Sequence, residues 1–77
     1  MQAGAVKILL EEKIPGASVS VEGEGCDFRV TIISDEFQGK LPVKRQQMVY
    51  AHLNPFIASG EIHAVTMVTQ TRSESGH

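Results

Sequence analysis

The sequence is poor in the features that mark secreted and membrane proteins. It has one cysteine among 77 residues, so no disulfide can form within the chain, and a reducing compartment, by default the cytoplasm, is expected. No apolar run approaches the roughly 20 residues that span a bilayer. Residues 1–5 show neither a basic region nor the start of an apolar one. We therefore expect no membrane segment and no secretory signal.

Positive charge is also scarce. Seven Lys and Arg residues stand against nine Asp and Glu residues, which gives a net charge of −2. Such a chain has no long-range attraction for phosphate backbones, so strong nucleic-acid binding by the whole domain is not expected. A chain of this length makes one domain and buries only about 60% of its unfolded surface, which leaves a thin core. A binding or adaptor domain is therefore favoured over an enzyme.

The first half of the chain predicts a helix followed by a β-hairpin. Val6, Leu9 and Leu10 have helical spacing, and Pro15 with Gly16 should end that helix. Alternating apolar residues then predict two strands, over 18–22 and 28–32, which a turn over 23–25 joins into a hairpin. After the second strand, Phe37 is expected to plug the core.

The second half predicts helices and a last strand. A helical apolar pattern begins at Pro42, and Pro55 interrupts it, so we expect a break at Asn54 and a short second helix that ends at Gly60. The β-branched segment 62–69 predicts the third strand, although apolar residues on both of its faces leave its inward face undecided. Because helices connect the second and third strands, these two strands should be parallel.

The expected fold class is therefore α+β. It is a single α-β-β-α-α-β domain over residues 1–77, with a core over about 3–70. A three-stranded mixed sheet carries helices on one face and leaves the other face bare. The polar tail over 71–77 is expected to be frayed.

Cys26 and His63 are the residues whose chemistry goes beyond packing. Cys26 lies in a glycine-rich turn beside Glu22, Glu24 and Asp27, and this negative charge disfavours a nucleophilic thiolate. A bound iron ion would reverse that effect, because its positive charge stabilises the thiolate. His63 opens the last strand. From the residues alone, an inert thiol and a structural or surface histidine remain the commoner interpretations.

Lys40, Lys44 and Arg45 form a basic cluster at the start of the long helix. The simplest interpretation is a solvated helix terminus. Basic residues at that position oppose the helix dipole, however, which hints at a partner: an acidic protein surface, a glutathione carboxylate or a phosphate. Three charges neutralise few phosphates, so any nucleic-acid binding should be weak and sensitive to salt.

The segment from about 19 to 71 resembles the BolA-like family, and its IbaG/YrbA branch in particular. The motifs that carry the resemblance are F-Q-G-K at 37–40, K-R-Q-Q-M-V-Y at 44–50 and I-H-A at 62–64. Each motif is weak alone, and their combination is specific. The double glutamine after the basic pair favours the IbaG side. The family fold, similar to a type II KH domain, has the α-β-β-α-α-β order expected above.

The resemblance implies a non-enzymatic adaptor that partners a monothiol glutaredoxin. The two proteins hold a bridging 2Fe–2S cluster, in iron–sulfur trafficking or in iron and stress regulation. The resemblance assigns two metal ligands to this chain, His63 in the I-H-A motif and Cys26 in the turn where the family uses Cys or His. A glutaredoxin cysteine and a glutathione thiol would supply the others. Alone, the chain should carry no cofactor and be a monomer or a weak homodimer.

Two other functions stay open. Some members resemble transcription regulators with DNA affinity, which here would use Lys40, Lys44, Arg45 and the bare sheet face. The other possibility is a small metal-dependent enzyme, and the missing metal ligands and the thin core count against it. Many members of the resembled family continue after the last strand with a T-P-x-x-W helix, whereas this chain has T-R-S-E-S-G-H at 71–77. The shortened end is expected to weaken the edge of the fold or to alter partner docking.

Overall fold

A computed structural model describes residues 2–24 and 27–75. Its elements are helix α1 (Ala3–Lys13), strands β1 (Ser18–Glu24) and β2 (Asp27–Ile33), a 3-10 turn (Asp35–Phe37), helix α2 (Pro42–Ala58) and strand β3 (Ala64–Gln70). The sheet order is β1-β2-β3, with β1 and β2 antiparallel and β2 and β3 parallel. The α+β class, the hairpin and the mixed three-stranded sheet are therefore confirmed.

The break predicted in the second helical segment is wrong. Helix α2 continues through Asn54 and Pro55 and ends at Ala58. A proline in a helix removes one N–H donor and crowds the carbonyl four residues earlier. Pro55 lies in the last turn, where few helical hydrogen bonds remain to be lost. Gly60, with a φ of +85°, then turns the chain out of the helix.

One face of the sheet is covered by the helices, as predicted. The core contains apolar residues from both helices, the sheet and the connections, namely Val6, Leu10, Ile14, Val19, Phe28, Val30, Ile32, Phe37, Val49, Leu53 and Ile62. The sequence left open which face of β3 points inward, and the register of β3 with β2 answers this question. Val65 and Met67 pair with Phe28 and Val30 and pack against the core, so Thr66 belongs to the uncovered face.

Ser34 ties the end of β2 to two distant parts of the chain. It is fully buried, and its Oγ donates to the carbonyl of Pro15 at 2.9 Å and accepts from the N–H of Glu36 at 3.1 Å. Its own N–H donates to the carbonyl of Gln70 at 2.9 Å. A buried hydroxyl is costly unless paired. These bonds therefore join the exit of α1, the end of β3 and the start of the 3-10 turn.

Residues 71–75 of the tail, which was expected to be frayed, form a hydrogen-bonded turn. The N–H of Glu74 donates to Thr71 Oγ1 at 3.2 Å, and the N–H of Thr71 donates to Glu74 Oε1 at 3.0 Å. This reciprocal pair is a capping box, which the sequence T-R-S-E encodes. Ser75 adds a helical bond to the carbonyl of Thr71 at 3.0 Å, and Thr71 is buried.

Arg45 joins that turn to the body of the domain. Its Nη2 donates to Glu74 Oε2 at 2.9 Å, and its Nη1 donates to Glu74 Oε1 and, at 3.3 Å, to the carbonyl of Thr69. Its Nε donates to the carbonyl of Lys40 at 2.8 Å. A planar guanidinium fits this set because it presents several donors in a rigid fork. We call Arg45, Thr71 and Glu74 the C-terminal clamp.

The end of the hairpin depends on a glycine. Gly23 has a φ of +132°, and a Cβ built on it would lie 2.2 Å from the carbonyl oxygen of Asp27. Any other residue would force these two strands apart. Gly23 thus permits the close approach that brings β1 against the first residue of β2. The predicted turn over 23–25 is therefore shorter, since β1 extends through Glu24.

A helix that crosses a bilayer needs about 20 predominantly apolar residues. Over residues 2–24 and 27–75, neither helix has the length and apolar character needed to cross a bilayer.

Replacing Gly23 with alanine should destabilise the domain. The added methyl group collides with backbone, so the free energy of unfolding should fall by roughly 1–3 kcal/mol. Gly4→Ala is the matched control: it lies in α1 with no atom within 4 Å of the built Cβ, and it should be neutral or stabilising. Urea unfolding measures both variants. Equal stabilities for the two would contradict the close approach.

The clamp should make stability depend on pH in a defined window. Arg45, and then the N–H of Thr71, lower the pKa of Glu74 from 4.5 to about 2. Because the folded pKa lies below the unfolded one, this contribution is complete above pH 4.5 and is lost as the pH falls towards 2. Glu74→Gln should therefore lower the melting temperature at pH 7, and the gap to the unmodified protein should close across that window.

Glu12→Gln is the control for this prediction, because Glu12 is exposed on α1. Its melting temperature should follow that of the unmodified protein at every pH. A deficit in Glu74→Gln of the same size at pH 7 and pH 2 would show that the charged pair is not its cause.

Candidate functional site

The two predicted metal ligands precede strands that pair with each other. His63 is exposed and lies directly before β3. Cys26 lies outside the described residues, so its position in the turn stays a prediction. Asp27, the next residue after Cys26, pairs with Ala64, the next residue after His63. The parallel register of β2 and β3 thus begins one residue after each candidate ligand.

A shallow cavity of about 360 Å³ opens at this end of the sheet. Its lining residues come from all three strands and are Glu22, Gly23, Asp27, Phe28, Arg29, Ala64 and Thr66. The register accounts for it, because Glu22, Arg29 and Thr66 are cross-strand neighbours on the uncovered face. Two carboxylates and one guanidinium therefore stand beside the chain segment that contains His63, and can bind polar groups of an incoming molecule.

The donor set fits a shared metal site better than a resident one. Within residues 2–24 and 27–75, no group of three or more His, Cys, Asp or Glu side chains could hold a metal ion. A 2Fe–2S cluster takes four ligands, usually thiolates, with imidazole in some centres. An exposed imidazole and one cysteine match two of those four in type. They are half of the set, so they suit a cluster only if a second molecule completes it.

The predicted basic cluster does not form as three accessible cations. Arg45 is only 8% exposed, and its guanidinium is engaged in the C-terminal clamp, so it is not presented as a free cation. Its role in binding a partner or nucleic acid stays a prediction. Lys40 donates to the carbonyl of Glu36 at 2.9 Å, and Lys44 is exposed on the first turn of α2. The T-x-x-E pattern at 71–74 signals the capped turn that positions Glu74, but no local pattern signals its pairing with Arg45, 29 residues away.

The remaining lysines lie far from the histidine. Lys40 contacts Arg45, which contacts Thr69 at the far end of β3, whereas His63 precedes the near end. The five residue steps from Ala64 to Thr69 span about 17 Å at the usual rise of a strand. The basic start of α2 and His63 therefore lie towards opposite ends of β3.

Comparison with known proteins identifies the family. Residues 10–74 match the model of the family described as BolA-like protein. The chain is 48% identical over 66 residues to an uncharacterized protein of Acinetobacter guillouiae from the rpoN-murA intergenic region, covering 86% of this chain and 80% of that protein. It is 34% identical over 74 residues to the acid stress protein IbaG of Escherichia coli K12, covering 96% and 88% of the two chains.

The fold agrees with these relatives. The structure of a bolA protein homologue from Coxiella burnetii superimposes with a TM-score of 0.87 at 27% identity, and the match covers 100% of this chain and 99% of that one. The chain therefore belongs to the BolA-like family, on the IbaG branch that its motifs predicted.

Proposed function

We propose that this protein is a non-enzymatic, cytoplasmic adaptor that binds a monothiol glutaredoxin and shares a bridging 2Fe–2S cluster with it. His63 and Cys26 are the ligands from this chain. A cysteine of the glutaredoxin and the thiol of glutathione complete the set. The role is in iron–sulfur trafficking or in iron and stress regulation.

The observation that carries the proposal is the pairing of Asp27 with Ala64. Paired strands lie about 4.8 Å apart, and consecutive Cα atoms are about 3.8 Å apart. Cys26 and His63 are each one such step from this pair. The described residues that follow the two proposed ligands, which are 37 positions apart in the numbering, are thus neighbours in the sheet. This pairing supports the proposal that both ligands bind one cluster.

The exposure of His63 supports the same role. A ligand for a shared cluster must be reachable by another protein, and this histidine is exposed at the edge strand of the sheet. A cluster bound there would supply redox and sulfur-transfer chemistry, while His63 and Cys26 hold it in place. Imidazole ligation raises the reduction potential of such a centre and makes binding depend on pH, since only the neutral ring binds iron.

Co-purification with a glutaredoxin tests the ligand assignment. A tag on this chain, co-expressed with a monothiol glutaredoxin, should retrieve a complex with the visible absorption of a 2Fe–2S cluster. His63→Ala and Cys26→Ser should each abolish that absorption, because each removes one of four ligands. His52→Ala, in α2, is the matched histidine control and should keep it. Far-UV circular dichroism checks that all variants fold.

Two results would count against the proposal in different ways. If His63→Ala and Cys26→Ser both keep the spectrum, the ligand assignment is wrong. If the unmodified chain retrieves no glutaredoxin, the partnership itself is wrong.

Nucleic-acid binding is the weaker alternative, because Arg45 is engaged in the clamp and only Lys40 and Lys44 remain of the cluster. Each phosphate contact contributes about −0.9 to the slope of log K against log salt. Two lysines should therefore give a slope near −1.8, and Lys44→Gln should bring it near −0.9. Fluorescence titration of duplex DNA at several salt concentrations measures both. A steep, sequence-dependent response would favour the regulator over the adaptor.

A further inference from the structure

We propose that the outer edge of β3, at Val65 and Met67, is the surface on which the glutaredoxin docks. An extended strand of the partner adds there as a fourth strand and so brings the partner's ligands beside His63. This inference rests on the proposed function, because it specifies how the same partner binds.

The hydrogen bonds at the end of the sheet show which β3 residues face outwards. The N–H of Ser34 donates to the carbonyl of Gln70, so Gln70 faces β2. Backbone groups of successive residues in a strand point to opposite sides. Thr69, Met67 and Val65 therefore direct their N–H and C=O groups away from β2, towards the outer edge.

The clamp protects only one end of this edge. Arg45 Nη1 donates to the carbonyl of Thr69 at 3.3 Å, which confirms that Thr69 faces outwards and covers the far end of the strand. No bond from the part of the chain that the structure describes reaches the outward backbone groups of Val65 or Met67. These two N–H and two C=O groups lie directly after His63, and another extended chain is the natural partner for them.

The opposite edge of the sheet is less suited to an added strand. In β1, the carboxylate of Glu11 accepts from the outward N–H of Val19 at 3.4 Å. Gly23 has a φ of +132°, so the strand leaves the regular pleat. The sequence S-V-S-V-E-G-E of β1 also contains two glutamates, and charges on an edge discourage pairing. The sequence A-V-T-M-V-T-Q of β3 contains no charged residue.

The occupant is a second protein and not a second copy of this chain. Two copies joined antiparallel along β3 would place each His63 near the other copy's Thr69, and the two histidines would lie about a strand length apart. Such a pair leaves both ligand sets incomplete. A partner strand that pairs with Val65 and Met67 ends beside His63 and can present a thiolate there.

Amide exchange in the complex tests the docking mode on the unmodified chain. Exchange is run on the purified complex with glutaredoxin and glutathione, stopped in acidic dimethyl sulfoxide, and read residue by residue by NMR. The N–H groups of Val65 and Met67 should exchange at least roughly tenfold more slowly than in the free chain, as each gains a hydrogen bond. Thr66 and Val68, already bonded to β2, should change less.

A pair of proline variants tests the same edge by affinity. Val65→Pro removes one outward N–H without touching the ladder to β2, and proline is tolerated at such edge positions. Val21→Pro is the matched control, because Val21 is a half-buried core-face valine whose N–H points out of the opposite edge. Val65→Pro should weaken glutaredoxin binding roughly tenfold by calorimetry, the value of one hydrogen bond, and Val21→Pro should not.

Three outcomes would overturn the inference. Unchanged exchange at Val65 and Met67 in a complex that still shows His63-dependent absorption would refute this docking mode and leave the proposed function standing. Equal losses of affinity in the two proline variants would do the same. Protection at Val65 and Met67 that grows with the concentration of the chain alone would assign the edge to a second copy.

Discussion

The parallel pairing of β2 with β3 is the constraint on which the rest of this structure depends. Parallel neighbours cannot be joined by a tight turn, so the chain must cross back, and α2 makes that crossing. The crossing places the start of β3 beside the start of β2. It therefore brings His63 to the end of the sheet where the hairpin turns, and sends the basic start of α2 to the opposite end.

The C-terminal clamp fastens residues 71–75 to the body of the domain. Thr71 and Glu74 form a capping box, and Arg45 holds that single turn against the last strand. Residues 71–75 are thus bonded through Arg45 to the start of α2 and to the end of β3. The same contacts withdraw Arg45 from the surface. Its guanidinium would have to leave Glu74 before it could bind a phosphate, which is why we regard nucleic-acid binding as the weaker proposal.

Much of the fold could be predicted because local pattern and tertiary structure agree there. Phe28, Val30 and Ile32 alternate and are all buried, as their period requires. The break at Asn54 was predicted from the rule that a proline interrupts a helix. That rule failed because so little of the helix follows Pro55. Which face of β3 points inward depends on its register with β2. The sequence of β3 alone does not determine that register. The engagement of Arg45 was not foreseen, because its carboxylate partner lies 29 residues away.

The candidate site was likewise predictable only in part. The motif could name His63, and the structure adds that the histidine directly precedes an edge strand. In that strand, the outward backbone groups of Val65 and Met67 form no hydrogen bond within the described chain. An adaptor needs both the accessible ligand and the free strand edge, because a shared cluster can form only where the partner is held beside that ligand. The clamp closes the far end of that edge at Thr69. The segment that we propose for docking therefore runs from His63 to the residue after Met67.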